Sequence, residues 1–356
     1  MTAPSTAQRP GGRARTGQRA VTFLVPDGVD DPARVSGGNV YDLQVRDRLD
    51  AHGWSATTVA VKDAGGVASL VRQLPDDTVL LVDGLVAAWV PEELAAAAGR
   101  LRLVVLAHMV VAAFADATPA EVDAERRALA AAHRVVVPSA WTASEFVRRG
   151  LVDAGRLSVA APGVAASLLD PVVAHSADAD GHLLCVGVVA PHKGHDVLLA
   201  ALAALSDLEW TCAIVGSTEV APGFASTVRR AAAALGRRVR LTGVLGREAL
   251  AEEYERAGLL VAPSRVESAG MAIGEARARG IPVVAADTGG IPETVAGGGA
   301  ILVPVEDAAA LAEALRAWLT DAALRRRLRG EARAARAALP SWDDTAAAVA
   351  GALESA

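Results

Sequence analysis

The 356-residue sequence has only two cysteines, Cys185 and Cys212, each inside an apolar run ("HLLCVGV", "TCAIVG"). Two thiols so placed exclude a disulfide framework and a cysteine-ligated zinc site, and they read as buried strand positions. A bilayer-spanning run is missing too. The longest apolar stretch, "LVVLAHMVVAAFA" at 103–115, falls short of the roughly 20 residues such a helix needs. Neither half opens with GxGxxG after its first strand, which disfavours a nicotinamide dehydrogenase. No self-similarity appears at solenoid periods. Basic excess is also absent. Thirty-five Lys and Arg against 41 Asp and Glu leave a net charge of −6, so no nucleic-acid partner is expected.

What remains is ample apolar material. A hydrophobic fraction of 52% with 21% charged residues supplies cores for two domains of ordinary size. The first twenty residues carry four arginines and two prolines without an apolar block, and "VTFLVP" behind them is too short for a signal-peptide core. A disordered tail over 1–19 is expected. The localisation expected is cytoplasmic, with no transmembrane segment and with room for peripheral membrane contact through the basic tail.

Short β-branched runs alternate with alanine-rich segments of helical length, the pattern of parallel strands joined by helices. The expected strands of the first half are "VTFLVP", "SATTVAV", "TVLLVDG", "LRLVVLAH", "RVVVPS" and "LSVAAPG". Those of the second are "HLLCVGV", "TCAIVGS", "VRLTGV", "LLVAPS", "PVVAAD" and "AILVPV". The expected fold is α/β, two facing doubly wound Rossmann-like domains with a cleft between them, because ligands of such sheets bind beyond the carboxyl ends of the strands. The boundaries predicted are 20–166 for the first domain, 167–182 for a patternless linker and 183–340 for the second, with 341–356 a helix that packs back on the first.

The densest chemistry follows "LLVAPS", in "PSRVESAGMAIGEARARG", where Glu267 and Glu275 stand on either side of Gly270. Two carboxylates flanking one loop lie on one wall of a cleft, whereas the acid/base pair of a glycosidase sits on opposite sides of the bond it cleaves. They therefore suit holding a ligand. An anion at the start of the following helix would meet free N–H groups and a favourable dipole. Glu275, one turn in, can accept from two neighbouring hydroxyls such as those of a ribose. Lys193-Gly194 after "HLLCVGV" can bring a cation to a diphosphate, and "AADTGGIPETV" supplies a further strand end with paired glycines.

Together, "HKGHDVLL" and "LTGVLGREALAEEYERAGLLVAPSRVESAGMAIGEARARGIPVVAADTGGIPETV" resemble the donor-binding domain of the family 4 glycosyltransferases, retaining enzymes of the GT-B fold. The match is dense from about 183 to 303 and weaker elsewhere. The resemblance implies a metal-independent enzyme with no cofactor. A nucleoside-diphosphate sugar would be bound by the second domain and an acceptor by the first, with the leaving diphosphate taking the acceptor hydroxyl's proton. It implies that Glu275 holds the donor ribose, that Glu267 meets the sugar hydroxyls and that Lys193 meets the diphosphate. Gly270, Met271 and Ala272 match the loop whose N–H groups face sugar and phosphate. Gly243 and Val244 match the start of the nucleobase pocket, Gly37 and Gly38 the glycine loop by the diphosphate and acceptor, and His108 a histidine beside the transferring sugar. The pattern departs at Val188, where the family commonly has arginine. The family's two-cation clamp is then reduced to Lys193 unless Arg265, His192 or His195 helps. "DAD" at 178–180 reads as a solvated turn rather than a metal site. A nucleotide-sugar epimerase and a non-catalytic sugar-nucleotide sensor are the alternatives that the fold leaves open.

Overall fold

The computed structural model describes residues 18–32, 34–169 and 177–356. Two six-stranded sheets organise them, and all strand pairs are parallel. The first comprises β1 (Arg19–Pro26), β2 (Trp54–Val61), β3 (Val79–Asp83), β4 (Arg102–Leu106), β5 (Arg134–Val137) and β6 (Leu157–Val159). The second comprises β7 (His182–Val186), β8 (Thr211–Val215), β9 (Val239–Gly243), β10 (Leu259–Ala262), β11 (Val283–Ala286) and β12 (Ala300–Val303). Each coincides with one of the twelve expected runs. Parallel strands covered by helices on both faces are buried on both, so they read as continuous Val/Leu/Ile blocks.

The strand orders are β2-β1-β3-β4-β5-β6 and β9-β8-β7-β10-β11-β12. The connections reverse direction between β1 and β3 in the first sheet and between β7 and β10 in the second. Side chains just beyond those strands therefore sit where an open sheet forms its crevice.

The C-terminal helix, Trp342–Glu354, belongs to the core of the first sheet. Trp342, Val349 and Leu353 pack with Phe23, Tyr41 and Leu81, and the Trp342 ring meets Tyr41 edge to face at 5.6 Å. A capping box between Ser341 and Asp344 starts this helix, and Val164 bridges Ser341 just before it. A Cβ at Gly163 would lie 2.1 Å from the Trp342 nitrogen, so the two crossing strands need glycine there.

Two expectations require correction. Residues 1–17 of the expected tail lie outside the described residues, but Arg19 opens β1, opposite Trp54, with its guanidinium 5.6 Å from the Trp54 ring. Ordering the edge of a strand and covering an indole outweigh the local polarity. The linker also ends earlier than 182, since a short turn covers 177–181 and β7 begins at His182. Asp180 in that turn is no solvated residue. It pairs with Arg325 at 2.7 Å and with Arg329, while its carbonyl accepts from the Trp318 indole at 2.9 Å. These partners come from far along the chain, where local spacing cannot show them. Cys185 and Cys212 are free and buried, and burial pushes the Cys185 thiol up to about 12.

Candidate functional site

The loops after β7 and β10 meet at the reversal point of the second sheet. Lys193 Nζ lies 2.5 Å from Glu267 Oε2, and the Ser264 hydroxyl reaches the same oxygen at 3.3 Å. Glycines allow these loops to touch. Gly194 has φ +67°, and a Cβ there would stand 2.0 Å from the Pro263 carbonyl oxygen. The "TGG" pair serves the same loop from behind. A Cβ on Gly289 would stand 1.8 Å from the Glu267 carbonyl oxygen, and the Gly290 N–H donates to that carbonyl at 2.9 Å. Burial works to raise the Glu267 carboxyl, but Lys193 beside it prevails and holds it below the usual carboxylate range.

Glu275 stands one turn into the helix Met271–Ala278, which Gly270 opens with φ +73°. Its side chain is 34% exposed and lies 4.0 Å from Arg279. Burial pushes its carboxyl up, against Arg279 and the Tyr254 hydroxyl, which favour the charged form. Tyr254 also donates to the Ala272 carbonyl at 3.3 Å and lies under the Arg279 guanidinium. A partly desolvated carboxylate with spare lone pairs is ready to accept ligand hydroxyls. Gly243 ends β9 with φ +73°, and Val244 beside it is half-buried.

Arg265 does not fill the place of a second cation. Asp196 takes its guanidinium in two bonds of 2.9 and 2.8 Å, Glu306 takes Nε at 2.6 Å, and the Pro191 carbonyl accepts at 2.6 Å. Two carboxylates already balance its charge. The nearby histidines do not replace it. His192, edge to face with Phe114 across the cleft at 5.3 Å, is lowered to about 4 by burial and then by Lys193. His195 is 0% exposed, neither ring nitrogen has a partner, and burial, then Lys193, lowers it to about 4. Lys193 is thus the cation of this pocket, and Val188 is half-buried.

The first domain faces this cluster with its glycine turn. Ser36 caps the helix Gly37–Arg46 by accepting from the Asn39 N–H. A Cβ on Gly37 would come within 3.4 Å of Met271 Sδ, and one on Gly38 within 3.2 Å of the His108 ring. Gly37, Gly38, His108 and Met271 therefore converge from three separate regions of the chain. Sequence reasoning missed the residues behind them: Asp42 and Asp83 at His108, Asp196 and Glu306 at Arg265, and Tyr254 at Glu275. It also missed Glu293, whose carboxylate crosses the cleft to accept from the N–H groups of Ala140 at 2.9 Å and Trp141 at 2.6 Å, the start of a first-domain helix. The only local signals were an aspartate ending β3 and the acidic end of "TGGIPET".

Two parallel-sheet domains that face each other across a crevice at their reversal points define a GT-B architecture. Solved structures share it. A sucrose-phosphate synthase from Thermosynechococcus elongatus superposes with a TM-score of 0.77 at 23% identity, covering 92% of this chain and 96% of that one. Anabaena HepE, solved in complex with UDP-glucose, gives 0.73 at 16% identity, covering 95% and 100%. Residues 173–335 match the family described as Glycosyl transferases group 1. Among curated relatives, the D-inositol 3-phosphate glycosyltransferase of Streptomyces avermitilis is 36% identical over 65% of this chain and 53% of its own. That of Xylanimonas cellulosilytica is 33% identical over 63% and 57%. This chain spans about half the length of the curated relatives it matches. These matches place 173–335 among the group 1 glycosyl transferases and bear out the resemblance to family 4. Among the described residues, no helix is long and apolar enough to cross a membrane.

Proposed function

We propose that the protein is a retaining glycosyltransferase that moves a sugar from a nucleoside diphosphate to an acceptor hydroxyl without a bound metal. The observation that carries this reading is the meeting of Lys193 and Glu267 at the reversal point of the second sheet, with Glu275 on the adjoining helix. The Lys193–Glu267 pair holds both side chains in place before the donor arrives. The diphosphate then shares Lys193, and Glu267 turns part of its hydrogen-bonding capacity to the sugar hydroxyls. Free N–H groups at the start of Met271–Ala278 face the same anion. The departing diphosphate is a weak base that leaves without a general acid. On this reading one of its oxygens accepts the acceptor hydroxyl's proton as the new C–O bond forms on the face it vacates.

Incubation with a labelled donor tests the reading. A labelled glycoside is expected, whereas an isomerised sugar nucleotide, or binding without turnover, would replace it by the epimerase or sensor alternative. A thermal-shift screen of UDP, GDP, ADP and dTDP selects the donor, because a ligand of the folded state raises the melting temperature. The relatives' names make inositol 3-phosphate the first acceptor to try.

A further inference from the structure

Beyond the donor residues, a second ionisable cluster occupies the carboxyl edge of the first sheet. His108 follows β4, and its Nε2 lies 2.9 Å from Asp42 Oδ1 and 3.2 Å from Asp83 Oδ2. Asp42 is 1% exposed, and its Oδ2 is buried without a partner. Asp83 cannot turn away, because its Oδ1 caps the next helix by accepting from the N–H groups of Leu85 at 2.8 Å and Val86 at 3.1 Å. The ring itself is held on two sides. Tyr41 meets it edge to face at 5.1 Å, with the phenol anchored on the Ala160 carbonyl at 2.7 Å, and Gly38 leaves room for its Cδ2.

Two buried carboxylates converging on one nitrogen favour a positive partner, since a neutral ring would leave uncompensated charge in a poorly solvated place. Burial raises the Asp42 carboxyl to about 6, against the pull of His108, so it is ionised above that pH. The ionisable groups facing the ring are Tyr41 and Asp42 from the helix Gly37–Arg46 and Asp83 from the end of β3. Burial by itself would strip the ring of its proton. The two carboxylates outweigh that effect and hold the imidazole well above the ordinary histidine range.

We propose that Asp42 is a positioning residue: together with Asp83 it grips His108 by Nε2, fixes the ring's orientation and keeps it an imidazolium, so that Nδ1–H remains as the donor to substrate. Of the three side chains, His108 reaches solvent most, at 16% exposed. The partner's chemistry follows from charge. One imidazolium and two ionised carboxylates sum to −1, and the sum rises to zero when Asp42, whose carboxyl burial raises to about 6, takes up a proton. In neither state does the cluster attract a diphosphate, and it suits a neutral hydroxyl of the sugar or acceptor. That hydroxyl rests on the glycosyltransferase reading, whereas the grip on the ring does not.

The test is a pH titration of histidine ring signals by NMR in the full chain, with His108 assigned by comparison with His108→Gln. In the wild type, the His108 signal is expected to stay in its charged position from about pH 5 to 8. Asp42→Asn keeps the acceptor oxygen but removes one anion, and it should lower the midpoint by about 1–3 units. A wild-type midpoint near the ordinary 6.5, or an unchanged midpoint in the variant, overturns the proposal. So does a displacement of the signal by magnesium or manganese, which would make the three groups a cation site instead. If Asp42→Asn fails to fold, the wild-type titration and Asp83→Asn decide the matter. In the rate arm, Asp42→Asn should add an inflection to kcat/KM between about pH 6 and 9 that the wild type lacks. A uniform loss of rate at every pH would show a merely structural role and overturn the assignment.

Discussion

Both domains place histidines in the segments that follow a strand's carboxyl end, and they give them different protonation states. In the first, two buried carboxylates keep His108 protonated. In the second, burial beside Lys193 keeps His192 and His195 neutral. Residue type is the same, so environment decides. The second domain sets Lys193 against Glu267 at its reversal point, and the first holds an imidazole between two carboxylates. A charged donor and a neutral hydroxyl are suited to opposite walls.

The severest way to break this contrast is Lys193→Ala, which removes the cation and leaves Glu267 partly buried without its charged partner. Nucleoside-diphosphate affinity should fall by about 2–5 kcal/mol, measured by calorimetry, and transfer should become undetectable. Retained affinity would mean that another group binds the diphosphate. Glu275→Ala should cost about 1.5–3 kcal/mol of affinity for the bare nucleotide, because its expected partner is the ribose. Unchanged binding would remove that role.

Acid sharpens the comparison. His192 and His195 have folded-state values lowered to about 4 from 6.5. Their contribution to stability is therefore fully present above 6.5 and lost as pH falls through 4. His108 has the opposite sign: its contribution is present below 6.5 and lost only as pH rises through its raised value. Thermal melts between pH 7 and 4 should show the second domain weakening, and His195→Leu should flatten that limb. An identical slope in the variant would show that the buried ring does not set it. The smallest effect expected is that of Glu293→Gln. An exposed carboxylate at a helix start is worth about 0.3–1 kcal/mol, so neutralising the one that bridges to Ala140 and Trp141 should favour an open cleft slightly. Small-angle scattering should find a larger radius of gyration without nucleotide, and no change would show that Glu293 does not bias closure.

Much of this was legible before any coordinates. The central strands showed as blocks of Val, Leu and Ile because parallel strands buried on both faces tolerate little else. Lys193, Glu267 and Gly270 could be placed because they lie in the loops that follow β7 and β10, and Glu275 because it stands one turn into the next helix, so local spacing sets their positions. The partners of Arg265 were not legible for a related reason: Asp196 and Glu306 are 69 and 41 residues away along the chain.

Local pattern was enough to mark the twelve strand runs and the short motifs that carry Lys193, Glu267 and Glu275, because hydrophobic pattern and turn glycines act over a few residues. Strand order, its reversal points and the meeting of charges were set by folding. His108 and Asp42 lie 66 residues apart and come within 2.9 Å, and Lys193 and Glu267, 74 residues apart, within 2.5 Å. The charge a histidine carries depends on desolvation and on neighbours within a few ångströms, and folding brings those neighbours from elsewhere in the chain.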